Sequence, residues 1–157
     1  PPRSTLFPYT TLFRSTALFG TDLTGGDYAK PDAIYAATPG NEPNQPPSSR
    51  PAETISALAA RRGLTPNQGF GKGDEPALMK AILASKGVVL LCWEHKAIIS
   101  DILPLIPVSK GTPPTKWEGS RFDVVLRFER AKGDDKFAFK ELFPKLLFGD
   151  SSKPLGG

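Results

Sequence analysis

Six apolar residues in a row, Val88-Val89-Leu90-Leu91-Cys92-Trp93, stand between Gly87 and the polar pair Glu94-His95. A run this short without polar alternation fits a strand covered on both faces, as in a parallel sheet with helices over each side. The flanking patterns supply those helices. From about Glu75 to Ser85, Leu78, Met79, Ile82 and Leu83 share one face, and Gly87 lies just past the end. After His95, Ile98, Ile99, Ile102 and Leu103 recur at helical spacing until Pro104 stops them. Helix, strand and helix in succession imply an α/β fold with Val88–Trp93 as a central strand.

The rest of the chain agrees with that class. Asp32-Ala33-Ile34-Tyr35-Ala36-Ala37 is a short apolar segment bounded by Pro and Gly, and reads as a second strand. Residues 38–51 are a run of turn formers and helix breakers, a surface loop. A helix follows, starting with Pro51 at the first helical position, where its missing N–H costs nothing, and with Glu53 in the first turn complementing the helix dipole. Ile55, Leu58, Ala59 and Arg62 form its inner stripe, and Arg61-Arg62-Gly63 closes it. Phe122, Val124, Leu126 and Phe128 alternate with Asp123, Arg127 and Glu129, a half-exposed strand. Gly133-Asp134-Asp135 then turn the chain back into Phe137–Phe143, which predicts a hairpin at a sheet edge. The polar tail over residues 151–157 is expected to be disordered.

The start of the chain follows a different logic. Leu6-Phe7-Pro8-Tyr9-Thr10-Thr11-Leu12-Phe13-Arg14-Ser15 matches the in-frame translation of a common sequencing adapter, CTC TTT CCC TAC ACG ACG CTC TTC CGA TCT. The alternative, that Thr5-Leu6-Phe7 and Thr11-Leu12-Phe13 are two strands of a natural hairpin, requires a ten-residue coincidence with one reading frame. Residues 1–15 are therefore expected to be an artefact in place of the native amino terminus, and are set apart from the fold. About 142 residues remain, enough for one domain with a real core and not for two, expected over 16–150.

Of the net charge of +4, Arg3 and Arg14 belong to the adapter-like segment, leaving +2. That small excess gives no reason to expect a nucleic-acid partner. One cysteine, Cys92, provides neither a disulfide framework nor metal-ligand spacing. Cys92 reads as a buried free thiol. No stretch approaches the roughly 18–20 continuous apolar residues of a membrane helix, so no membrane segment is expected. A replaced start leaves the compartment open, cytoplasmic or secreted.

In open α/β sheets ligands bind beyond the carboxyl ends of the strands. The strand ending at Trp93 delivers Glu94 and His95 there, with His95 opening a helix whose free N–H groups favour an anion. Arg50 holds the analogous place before Pro51, and its planar guanidinium suits phosphate oxygens. Together Arg50 and His95 suggest one oxyanion pocket. A proton donor for a leaving oxygen would be a carboxylate, and Glu75, after the loop Gly69-Phe70-Gly71-Lys72-Gly73-Asp74, and Glu94 both qualify. The glycines at 69, 71 and 73 with Lys72 suggest a phosphate loop, but Gly73 stands where a Walker motif needs Ser or Thr. No serine lies in a Gly-x-Ser-x-Gly turn, which removes a serine-hydrolase reading. Trp93 and Trp117 read as core and pocket-rim packing, because basic residues do not interleave with the aromatics.

Arg50-Pro51-Ala52-Glu53-Thr54 before an apolar helix, then Val88 to His95, then Trp117 and Arg121-Phe122-Asp123-Val124-Val125, resemble the later parts of a histidine phosphatase of the phosphoglycerate-mutase-like superfamily. The ending Phe143-Pro144-Lys145-Leu146-Leu147-Phe148-Gly149-Asp150 is similar to the carboxyl end of bacterial members, and the resemblance covers roughly residues 20 to 155. It implies a three-layer α/β sandwich with a mainly parallel central sheet whose first strand is missing or replaced. It also implies phosphomonoester hydrolysis through a phosphohistidine, with no metal or organic cofactor and with a small phosphorylated substrate or inorganic phosphate as the partner. Arg50 matches the family's second arginine and His95 its second histidine. The family's Arg-His-Gly motif, which carries the attacking histidine, occurs nowhere in this sequence. Without that imidazole there is no covalent route, and the chain is expected to be a phosphatase remnant with little or no turnover. The competing reading is a non-catalytic module that recognises a phosphorylated ligand or a partner protein.

Overall fold

The computed structural model describes residues 14–39 and 49–156. The adapter-like stretch up to residue 13 and the loop over 40–48 lie outside the described residues, as does Gly157. Helices and strands are mixed, as expected of an α/β chain, and the strands lie in two small sheets. The chain divides into two compact units, Pro1–Glu94 and His95–Gly157.

In the first unit β1 (Ala33–Ala36) leads to α1 (Arg50–Arg62), and α2 (Glu75–Ala84) leads to β2 (Val89–Cys92). The two strands pair in parallel, with Ala33 opposite Val89 and Ala36 opposite Cys92. Both helices follow the predicted stripes. Ile55, Leu58 and Ala59 of α1 and Leu78 and Met79 of α2 are buried with Ile34 and Ala36 of β1. Gly63 ends α1 in the left-handed region at φ 64°, a conformation glycine adopts without a Cβ penalty.

β2 is not the covered centre of this sheet. All four of its residues are only half-buried, and among the described residues its one strand partner is β1. β1 is instead the strand with neighbours on both sides. The Ala36 N–H donates to the Asn67 carbonyl at 3.1 Å, the Asn67 N–H to the Ile34 carbonyl at 2.8 Å, and the Thr38 N–H to the Phe70 carbonyl at 2.8 Å. The irregular segment between α1 and α2, through Asn67 and Phe70, thus runs along the other edge of β1 and satisfies its backbone.

Residues 14–19 are helical, and Arg14 and Ser15 fall within the segment set apart as adapter-derived. Ser15 is buried and its hydroxyl donates to the Thr54 carbonyl at 2.7 Å. Phe19 is buried too, edge-on to Tyr28 with ring centroids 6.0 Å apart.

The second unit opens with a helical turn at His95–Ala97, which widens to a π-turn at Ile98–Ile102 and tightens to a 3₁₀ turn at Leu103–Leu105. Pro104 does not stop this helix as expected. It sits inside the 3₁₀ turn, where the changed pitch accommodates a residue with no N–H to donate. Then β3 (Val108–Lys110), β4 (Val125–Glu129) and β5 (Phe137–Leu142) form a sheet in the order β3-β5-β4. β4 and β5 are the predicted hairpin, antiparallel from Val125 opposite Leu142 to Glu129 opposite Ala138.

Two expectations for this unit are corrected. The strand over 122–130 begins only at Val125, and its first residues have inverted phase: Phe122 is 45% exposed while Asp123 is buried. The tail expected to be disordered is instead packed over residues 151–156. Leu155 is buried, and its N–H donates to Glu141 Oε1 at 2.8 Å.

Candidate functional site

Arg50 is the first residue of α1 and is exposed. Its carbonyl accepts the Thr54 hydroxyl at 2.8 Å, the usual helical back-bond of a threonine. The Ser49 hydroxyl donates to the Glu53 carboxylate, and the Ser49 carbonyl accepts the Glu53 N–H at 2.9 Å. Glu53 thus serves the helix start, as its place in the first turn suggested. Thr54 also reaches β2, because its side chain hydrogen-bonds the Cys92 thiol. Burial pushes that thiol up to about 11, and the Thr54 bond only partly opposes it. Cys92 therefore stays protonated and unreactive near neutral pH.

Glu75, one of the two candidate proton donors, is 3% exposed. Its Oε1 accepts the Trp93 indole N–H at 3.1 Å and its Oε2 accepts the Gly73 N–H at 2.8 Å. The carboxylate brackets the glycine loop to the end of β2, and both its oxygens are engaged by the protein's own donors. Trp93, buried, is a core residue as expected. Glu94, the other candidate, is exposed.

The glycine loop is closed to phosphate by its own sequence. Gly69 N–H donates to Asn67 Oδ1 at 2.9 Å, Gly71 N–H to Asp74 Oδ2 at 2.9 Å, and Gly73 N–H to Glu75. Three backbone donors that could have formed an anion nest are taken, two of them by carboxylates.

His95 opens the second unit and is half-buried. A methyl group built on Gly119 would stand 3.6 Å from its Nε2 and 3.9 Å from its Cε1, so the imidazole edge lies against the bare backbone of that glycine. Beside this contact, Lys96, Ile99, Lys116, Trp117 and Glu118 line an open groove of about 380 Å³. Trp117 lines this groove, and its indole N–H donates to the Arg121 carbonyl at 3.0 Å.

Arg50 belongs to the first unit and His95 to the second. Sequence reasoning named both, but it missed the largely buried ion pair of Arg121 and Asp123. Arg121 Nε donates to Asp123 Oδ1 at 2.7 Å, with both side chains largely buried. Although burial opposes it, the Arg121 guanidinium together with the Ser151 N–H holds the Asp123 carboxyl below the usual range. The signal was present as Arg121-Phe122-Asp123, a cation and an acid two residues apart beside an aromatic, but strand alternation assigned Asp123 to the solvent side. Set against known proteins, the chain matches no family model, no curated protein and no solved structure.

Proposed function

We propose that this chain is a phosphoryl-binding remnant of the histidine phosphatase superfamily, in which Arg50 and His95 hold the phosphoryl group of a small ester or inorganic phosphate. The fold in this reading is the superfamily's three-layer sandwich with its mainly parallel sheet, in a sequence that contains no Arg-His-Gly. The supporting observation is the parallel pairing of β1 and β2 in register. It sets the carboxyl ends of the two strands side by side, Ala36 against Cys92, and the next regular elements along the chain begin at Arg50 and His95. Strand ends of this kind are where α/β proteins bind anionic ligands.

A guanidinium and an imidazole suffice to bind and polarise a phosphoryl ester, but hydrolysis through phosphohistidine needs a separate attacking imidazole, and His95 is the single histidine. The reading therefore predicts binding without turnover. The test is a titration with inorganic phosphate, followed by NMR on the one imidazole. A saturable shift of the His95 signals, lost in Arg50→Ala, is expected, with no release of nitrophenol from p-nitrophenyl phosphate above the blank. Unaltered His95 signals at tens of millimolar phosphate, or turnover that survives His95→Ala, would overturn it.

A further inference from the structure

The segment 151–156 is stitched to the loop 116–123 along its whole length. Ser151 N–H donates to Asp123 Oδ2 at 2.6 Å, Arg121 Nη1 donates to the Lys153 carbonyl at 2.9 Å, and the Lys116 N–H donates to the Gly156 carbonyl at 3.0 Å. Between these, Leu155 is buried and its N–H is held by Glu141 of β5, while the Lys153 N–H donates to the Ser151 hydroxyl at 3.0 Å. The loop is fastened within itself as well, because the Arg121 carbonyl accepts the Trp117 indole N–H. Arg121 thus acts in two directions, its backbone holding Trp117 and its guanidinium holding Asp123 and Lys153. Its Nη2 is buried with no hydrogen-bond partner among the described residues. Within this fastened loop lies Gly119, whose backbone faces His95 Nε2.

We propose that residues 151–156 are a strap that sets the position of the 116–119 loop against His95, and that Arg121 is the positioning residue through which it acts. The inference rests on the reading of His95 as a phosphoryl ligand, and gives that ligand its support. A histidine that must present one ring nitrogen to an anion needs its ring fixed from outside, as supporting partners fix metal-bound histidines. Here the fixing surface is a glycine backbone, and the strap holds that backbone still. Removing the strap's grip frees the loop without touching His95 itself.

The test uses the full chain and its one imidazole. Arg121→Gln and Ser151→Pro each cut the strap's hold, the second by deleting both the N–H that Asp123 accepts and the hydroxyl that accepts the Lys153 N–H. Both are expected to move the His95 NMR signals and to weaken phosphate binding about tenfold. The Trp93 indole signal, in the first unit, should stay in place. Arg121→Lys keeps the charge beside Asp123 and should restore the His95 signals in part. Should Arg121→Gln fail to fold, Ser151→Pro and Leu155→Ala carry the test. Unchanged His95 signals, with the amide signals of residues 152, 153 and 155 moved to unstructured positions, would overturn the inference. The His95 signals are compared without phosphate, so a parent chain that ignores phosphate sinks the phosphoryl reading while strap coupling is still measured.

Discussion

Glu75 offers the sharpest test of how the first unit is held together. Its carboxylate is 3% exposed and accepts two N–H donors, from Trp93 at 3.1 Å and from Gly73 at 2.8 Å. In Glu75→Gln the amide keeps one acceptor oxygen and turns an NH2 group toward whichever donor remains. One charge-assisted bond is lost and one buried N–H is left facing another donor, a penalty of about 2–3 kcal/mol. Glu75→Ala removes both acceptors and opens a small void. Its loss of about 3–5 kcal/mol is moderated because no carboxylate then has to be desolvated. At this chain length the Gln variant should melt about 8–10 °C lower. Far-UV circular dichroism in urea gives the free energies without relying on tryptophan emission. A double-mutant cycle of Glu75→Gln with Trp93→Phe should show a coupling of about 1 kcal/mol. A Glu75→Ala variant within about 0.5 kcal/mol of the parent, the range of an ordinary surface substitution, would refute the bracket.

Two further outcomes follow from local geometry. Gly87 has φ 82°, and a Cβ there would collide with the Asp32 carboxylate that accepts the Val88 N–H at 2.8 Å. Gly87→Ala should therefore lose about 2–3 kcal/mol in urea unfolding, part backbone strain and part the displaced hydrogen bond; a neutral result would mean Asp32 does not pin β2. The Cys92 thiol, pushed up to about 11 from 9.0, should react with iodoacetamide at pH 8 about a hundredfold more slowly than an unshifted thiol. Below pH 9 both folded and unfolded chains keep the proton. As pH rises toward 11 only the unfolded chain releases it, so stability falls by about 3 kcal/mol, a loss that Cys92→Ser abolishes.

The sequence carried the elements whose side chains alternate against a core. The stripes of α1 and α2, the capping Gly63 and the hairpin of β4 and β5 all follow from periodicity and turn chemistry. The centre of the first sheet was not legible. Val88–Trp93 is the most apolar run, yet β1 is the doubly flanked strand, because Asn67 and Phe70 pair with it through backbone atoms. Backbone pairing by an irregular segment leaves no trace in hydropathy. Alternation also failed at Phe122 and Asp123, where a buried ion pair and a returning tail outweighed the preference of an aromatic for the interior. The tail was misread for the same reason: its grip comes from backbone groups and from Leu155, one apolar residue in a polar, Gly/Pro-containing stretch.

The glycine loop shows how the structure narrows the candidate anion site. Sequence alone argued against a phosphate loop from a missing hydroxyl residue after Lys72. The hydrogen bonds give a stronger reason, since an anion at Gly69, Gly71 and Gly73 would have to displace Asn67, Asp74 and Glu75 from N–H groups they already satisfy. Two of those three competitors are carboxylates held in place, and they would repel the incoming charge as well as block it. Phosphoryl binding in the proposed reading must then come from side-chain cations at strand ends and not from a backbone nest. A site of that kind, with the exposed Arg50 as one of its two ligands, weakens as salt is added. A nest of buried amides would not, and phosphate affinity unchanged between low and high ionic strength would count against Arg50.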